Sequence, residues 1–301
     1  MKAKSSTSIW RLWIIVGMLL SLTACEKEVS INLASSPPRV VVQGGIETNS
    51  PPYVILTSTV GFFSKVDLAT LENSFLHGAV IQVSDGSRSV TLREYSFDTG
   101  TAFKYYVYSI DSGNIMLGEN GKTYELKITY EGNTYTSATK IPNPQGIDSM
   151  WFDTPLFAGS NTPDSALQLF VNYTDPDTTG DFVRCFTQRG NQGFFPSTNF
   201  SDEIVNGKTI NNIGLAAGYQ NDIPNRNRDS LIYFFPGESV TLKWCAIDKG
   251  VYDFWNTLDF AKGSVGNPFS SPINPTSNIK NGAVGVWAGY GVYSRTIIVS
   301  R

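Results

Sequence analysis

The first feature in the hydrophobic pattern is an apolar run from Leu12 to Leu22, preceded by Lys2, Lys4 and Arg11 and by no acidic residue before Glu26. Its length suits a signal h-region and falls short of the roughly 20 apolar residues of a membrane-spanning helix. From Arg39 the pattern changes to short runs of period two or continuous apolar character, the mark of strands. Strands are predicted at 39–46, 53–60, 79–84 and 89–95, the last two joined by Asp85-Gly86, a tight-hairpin dipeptide. Two more at 123–130 and 134–140 flank Glu131-Gly132-Asn133. Pro142 and Pro144 then break the pattern, which places a domain boundary there. Beyond it, strands are predicted near 147–154, 166–173, 182–188, 230–235 and 239–247, with 190–228 as long polar loops. Val251, Phe254, Trp255 and Leu258 fall at i, i+3, i+4 and i+7, which predicts one helix near 250–262. The chain closes as a hairpin, 283–288 and 292–300, around Gly289-Tyr290-Gly291.

The pattern defines a mainly β protein. Residues 39–141 are expected to form an immunoglobulin-like β-sandwich. Residues 142–301 are expected to form a second β-sandwich or barrel-like domain with the one short helix. Composition agrees: aromatic residues are 13%, charged residues only 16%, with 27 Gly and 15 Pro, which is neither disordered nor coiled-coil.

The N-terminal run ends in Leu22-Thr23-Ala24-Cys25. Small residues before the cut and a cysteine directly after it make a lipobox, in which the thiol is acylated and becomes the new N-terminus. Residues 1–24 are thus expected to be a lipoprotein signal peptide, and residues 25–38 a lipidated tether to the membrane. Cleavage removes three of the 23 basic residues and none of the 26 acidic ones, so the net charge falls from −3 to about −6. No basic cluster survives, which argues against nucleic acid as a partner.

Candidate chemistry is sparse. The single histidine, His77, excludes sites that need two imidazoles, and no GxSxG elbow, Cys-x-x-Cys or phosphate-binding glycine loop occurs. A hydrolase built on two carboxylates is the one catalytic alternative, and no pair is singled out. The segment Asp175-Pro176-Asp177-Thr178-Thr179-Gly180-Asp181 offers hard oxygens from Asp175, Asp177 and Asp181 to a Ca²⁺ ion; an ordinary turn is the competing reading. Phe194, Phe195 and Phe200 lie among polar loop residues. They suit stacking on a glycan or anchoring a peptide, or else they pin the loops onto the sandwich. Cys185 and Cys245 each lie in a strand-like run. An oxidising compartment would permit a disulfide between them; two separate buried thiols are the alternative.

Taken in order, Cys25-Glu26-Lys27-Glu28, RVVVQGGI (39–46), YVILTSTV (53–60), HGAVIQVSDG (77–86), GKTYELKITYEGNTYTSATKIP (121–142), YDFWNTL, NPFSSP and GVWAGYGVYSRTIIV resemble a Bacteroidota lipoprotein family, domain of unknown function 4249. The resemblance covers nearly all of the chain after Cys25. It implies an outer-membrane location and work beside a TonB-dependent nutrient transporter, and it transfers no catalytic residues. Glu26-Lys27-Glu28 is a diluted form of the acidic surface-export signal, so it leaves open the periplasmic face and the cell surface. The leading expectation is a non-catalytic binding or accessory lipoprotein. A structural or assembly role in the envelope, without a small ligand, is the alternative.

Overall fold

The computed structural model describes residues 37–60, 65, 67–100, 103–160, 162–203, 205–217, 233–264 and 273–300. The expected signal peptide, Cys25 and the expected tether up to residue 36 lie outside them.

The protein is mainly β, with large open sheets. Chain order is β1 (Val40–Glu47), β2 (Tyr53–Ser58), α1 (Leu68–Glu72), β3 (Val80–Ser84), β4 (Ser89–Asp98), β5 (Lys104–Ser109), β6 (Thr123–Tyr130) and β7 (Asn133–Lys140). It continues with β8 (Ser149–Asp153), β9 (Gln168–Thr174), β10 (Phe182–Arg189), β11 (Phe195–Ser201), β12 (Thr209–Leu215), β13 (Ser239–Ile247), α2 (Lys249–Ser264) and β14 (Val284–Ile298). One 11-stranded sheet runs β11-β10-β13-β14-β1-β2-β5-β4-β3-β6-β7; a three-stranded sheet runs β12-β9-β8.

Two long strands change partners along their length and so bend the large sheet. The first half of β4 pairs with β3 (Leu92↔Ile81) and the second half with β5 (Tyr95↔Val107). The first half of β14 lies parallel to β1 (Trp287↔Gly44), and the second half lies antiparallel to β13 (Tyr293↔Trp244). Side chains on β14 follow the period of two. Trp287 enters a core with Val42, Leu56, Ile81, Tyr124 and Ile128. Tyr293 and Ile297, on the same face further along, pack on a second core of Leu169, Val171, Leu242 and Trp244. Val286, Ala288 and Tyr290, on the opposite face, pack beneath α2 with Val251 and Phe254. The segment holding Pro142 and Pro144 crosses between β7 and β8, where the first two cores separate, while the large sheet runs on across it.

The expected hairpin at 283–300 is instead the single strand β14. Its glycines serve a close approach, not a turn. A Cβ on Gly289 would sit 2.4 Å from the Lys140 carbonyl oxygen, and one on Gly291 would sit 2.0 Å from that of Pro142. The crossing segment thus lies directly on the gap between the two cores, where only glycine leaves room. The region expected to be long loops at 190–228 contains β11 and β12 among its described residues. Of the strand expected at 230–235, Phe234 bridges Leu167, and residues 230–232 lie outside the described residues. The helix forms where the apolar spacing placed it. Val251 and Phe254 are its buried side chains, and Trp255 and Leu258 pack on the same cluster. Asp248 caps it: one carboxylate oxygen accepts from the Val251 N–H (2.9 Å). The other accepts from Thr139 Oγ1 (2.6 Å) and the Lys140 N–H (3.0 Å), so the cap also ties the helix to β7.

The disulfide reading is corrected. Cys185 and Cys245 are both free and buried. β10 and β13 are neighbours, but the register pairs Cys185 with Trp244 and Arg184 with Cys245. An offset of one residue sends the thiols to opposite faces of the sheet, Cys185 into the second core and Cys245 beneath α2. Burial pushes both thiols well above the ordinary cysteine range.

Candidate functional site

The acidic loop after β9 makes part of a site, with different membership from that expected. Asp175 and Asp181 come together, and the third carboxylate is Asp202, at the end of β11. One ligand oxygen from each lies within 4.8 Å of the others. Asp177 faces outward, towards Gly207, and is exposed. The pairing of β10 with β11 explains the exchange. Phe182 stands opposite Ser201, so Asp181 and Asp202 meet at the open end of that hairpin. The Asp202 N–H donates to the Asp181 carbonyl (3.2 Å), and the Gly180 N–H donates to Asp202 Oδ2 (2.6 Å). Thr178 Oγ1 donates to Asp181 Oδ2 (2.6 Å), and the Gly207 N–H donates to Asp175 Oδ2 (3.2 Å). A sequence reader who had recognised Phe195–Ser201 as a strand pairing back onto Phe182–Arg189 would have found Asp202.

Asp175 and Asp202 are buried, and the electrostatics follow. Burial, and then the charges of Asp181 and Asp202, raise the Asp175 carboxyl above its ordinary value against the opposing pull of the Gly207 N–H. The hydroxyl of Tyr173, which donates to Asp175 (3.4 Å), is pushed up by burial and by the same three carboxylates. Asp181 and Asp202 open onto a cleft of about 660 Å³ that Lys140, Asp248 and Lys249 also line. Three carboxylates converging on one point suit a hard cation, and the cleft beside them has the size of a small-molecule site.

The loop aromatics separate into different roles. Phe200 stacks on Trp244 (5.4 Å between centroids, 27°) and covers the second core, so the loop-pinning alternative describes it. Phe195 sits in β11 opposite Thr187. Phe194 is exposed, with the Lys243 Nζ 4.6 Å from its ring centroid. It begins an alternating row that sequence reading missed. Lys243 Nζ is 4.8 Å from Phe186; Arg184 Cζ is 5.4 Å from Phe186 and 4.1 Å from Trp255. Glu47 accepts from Lys243 at 2.8 and 3.0 Å, and Asp259 pairs with Arg184 at 3.3 Å. The row joins β10, β13 and α2 through side chains that a strict in–out pattern assigns to solvent.

His77 lies before β3, as expected. Its Nδ1 contacts Glu94 Oε1, and its ring stands edge-on to Tyr106 (4.6 Å). Burial would raise the Glu94 carboxyl, but hydrogen bonds from His77, Tyr108 and the Gly78 N–H outweigh it and hold the group low.

The sheets, the acidic cluster and the cleft define a β-rich protein with a polar, carboxylate-lined site. The family model described as "Domain of unknown function (DUF4249)" matches residues 26–296, and the chain belongs to that family. No curated protein matches it.

Proposed function

We propose that this chain is a lipid-anchored binding protein of the Bacteroidota envelope, held at the outer membrane through Cys25 and working without catalysis beside a TonB-dependent transporter. The observation that carries this reading is the sequence Leu22-Thr23-Ala24-Cys25, placed directly before the family region that starts at residue 26. Two or three acyl chains, at roughly 0.8 kcal/mol per buried CH₂, anchor stably where one does not. In this reading residues 39–141 are an immunoglobulin-like β-sandwich, supported by the core of Val42, Leu56, Ile81 and Tyr124, into which β14 also sends Trp287. Residues 142–301, with Lys140, line the cleft; at its edge Asp175, Asp181 and Asp202 bind Ca²⁺, and a glycan or peptide occupies the space beside them.

Cys25→Ser is expected to abolish acyl labelling and to release the protein from the membrane fraction. An unchanged membrane fraction refutes the anchor. Affinity purification in mild detergent is expected to recover a TonB-dependent receptor in stoichiometric amount. Recovery of envelope scaffold proteins alone, with silent glycan and peptide arrays, supports the structural role instead.

A further inference from the structure

A second cavity, of about 410 Å³, lies on the other side of the large sheet from the first core, between α2 and the start of β1 and β14. Trp255 and Leu258 of α2 form one wall, Val41 and Val284 form the floor, and Arg39 and Gln43 stand at the exposed rim. Most of the lining is apolar, and the volume falls in the range of small-ligand sites.

Three features give the cavity a chemical preference. The Trp255 ring is held in place before any ligand arrives: its Nε1 donates to the Tyr290 hydroxyl (3.0 Å), and the Arg184 guanidinium lies 4.1 Å from its centroid. A pre-ordered aromatic wall loses little freedom on binding a flat apolar body. The Arg39 guanidinium is likewise fixed, with Nε and Nη2 both donating to the Gly282 carbonyl (3.0 and 2.9 Å). Among the described residues no carboxylate pairs with it, although acids elsewhere on the protein pair with Arg93, Arg184 and Arg189. An apolar chamber whose rim carries an arginine with no carboxylate partner among the described residues matches a molecule with an apolar body and one anionic end; the same arginine, with Gly282 and Glu131, also lines the adjoining hollow.

We propose that this cavity is a binding site for a small amphipathic carboxylate, with its ring or short chain against Trp255, Leu258 and Val41 and its carboxylate at Arg39. The proposal deepens the binding reading above and rests on it for physiological meaning. The cavity and its test depend on neither the lipid anchor nor the acidic cleft, so failure of one leaves the other standing.

The test uses isothermal titration of the detergent-solubilised full chain with 1-naphthylacetate and with 1-naphthylacetamide, a neutral molecule of nearly the same shape. The expected result is saturable one-to-one binding of the acid, about tenfold tighter than the amide. Arg39→Gln, an exposed substitution, is expected to bring acid and amide to equal affinity. Val41→Phe, which fills the floor, is expected to abolish both. Thermal melts of each variant establish that it is folded. Absence of saturable binding, equal affinity for acid and amide in the unaltered protein, or unchanged binding in folded Val41→Phe would overturn the proposal.

Discussion

Replacing Gly291 by alanine puts a methyl group where the chain has no room for one. The Cβ would lie 2.0 Å from the Pro142 carbonyl oxygen and 3.0 Å from its carbon. Both partners are backbone, so no rotamer change relieves the contact, and the strand and the crossing segment must part by about 1 Å or more. Overpacking in a tight interior costs about 1–3 kcal/mol. The upper end applies, because β14 is fixed on one side to β1 and on the other to β13. Gly289→Ala meets the Lys140 oxygen at 2.4 Å and also disturbs the bond from its own N–H to Thr139 Oγ1 (2.8 Å), adding about 1 kcal/mol. A loss of about 3–4 kcal/mol is a large part of the roughly 5–15 kcal/mol that holds a typical domain. At a urea slope of about 3 kcal/mol per molar, the unfolding midpoint should fall by about 1 M for either variant. Gly263→Ala is the control. It lies in the last turn of α2 with nothing within 4 Å of the added Cβ, and should be neutral or gain up to about 1 kcal/mol. A Gly291→Ala midpoint indistinguishable from the unaltered protein would falsify the account of β14 as one strand crossed by residues 140–142.

Other expectations follow from the same geometry. With residues 1–36 removed, the folded protein should react negligibly with a thiol reagent and the denatured protein should yield both Cys185 and Cys245, with no change in melting temperature on adding dithiothreitol; protection of either thiol after denaturation without reductant contradicts the opposite-face placement. Because Asp175 has a raised pKa in the fold, the folded protein binds its proton more tightly than the unfolded chain does. Stability at this site therefore falls as pH rises from the ordinary carboxylate value through the raised one. Asp175→Asn should accordingly raise the melting temperature at pH 7 in chelator, with the gain fading below about pH 4; a gain that persists undiminished at low pH removes the electrostatic cause. Calcium should raise the melting temperature of the unaltered protein, and Asp202→Asn should lose that shift while Asp177→Asn keeps it; a shift abolished by Asp177→Asn alone would restore the ligand set suggested by the linear sequence. Glu94 has the opposite sign: its lowered pKa supplies stability above the ordinary glutamate value that is lost as pH falls through the lowered one, so Glu94→Gln should destabilise at pH 7 and approach neutrality in acid.

Most strands were legible from their apolar pattern: the predicted 123–130 coincides with β6, which is half-buried and alternates, and 239–247 coincides with β13, a near-continuous run buried on both faces. The helix was legible because the turn-by-turn spacing of Val251, Phe254, Trp255 and Leu258 has no strand counterpart. What stayed hidden had no local apolar signature. Phe195–Ser201 is partly exposed along its whole length, so it carries no apolar alternation, and missing it concealed both the β10–β11 hairpin and Asp202. Gly289 and Gly291 look like turn residues in a line of text because the carbonyls they make room for lie about 150 residues earlier. Lys243 and Arg184 read as outward-facing until α2, Phe186 and Phe194 are placed over them.

The parallel pairing of β1 with β14 also bears on how the molecule would carry mechanical load. Val40 begins a strand held along its length between β14 on one side and β2 on the other. A pull entering at the N-terminal end of β1 runs along that strand and across its hydrogen bonds. It loads the β1–β14 contacts together in shear, where an end-on hairpin would peel open one bond at a time. Resistance to forced opening is set by the unfolding rate and not by equilibrium stability. β1, the first strand among the described residues after the proposed anchor at Cys25, is thus seated where tension is shared most widely.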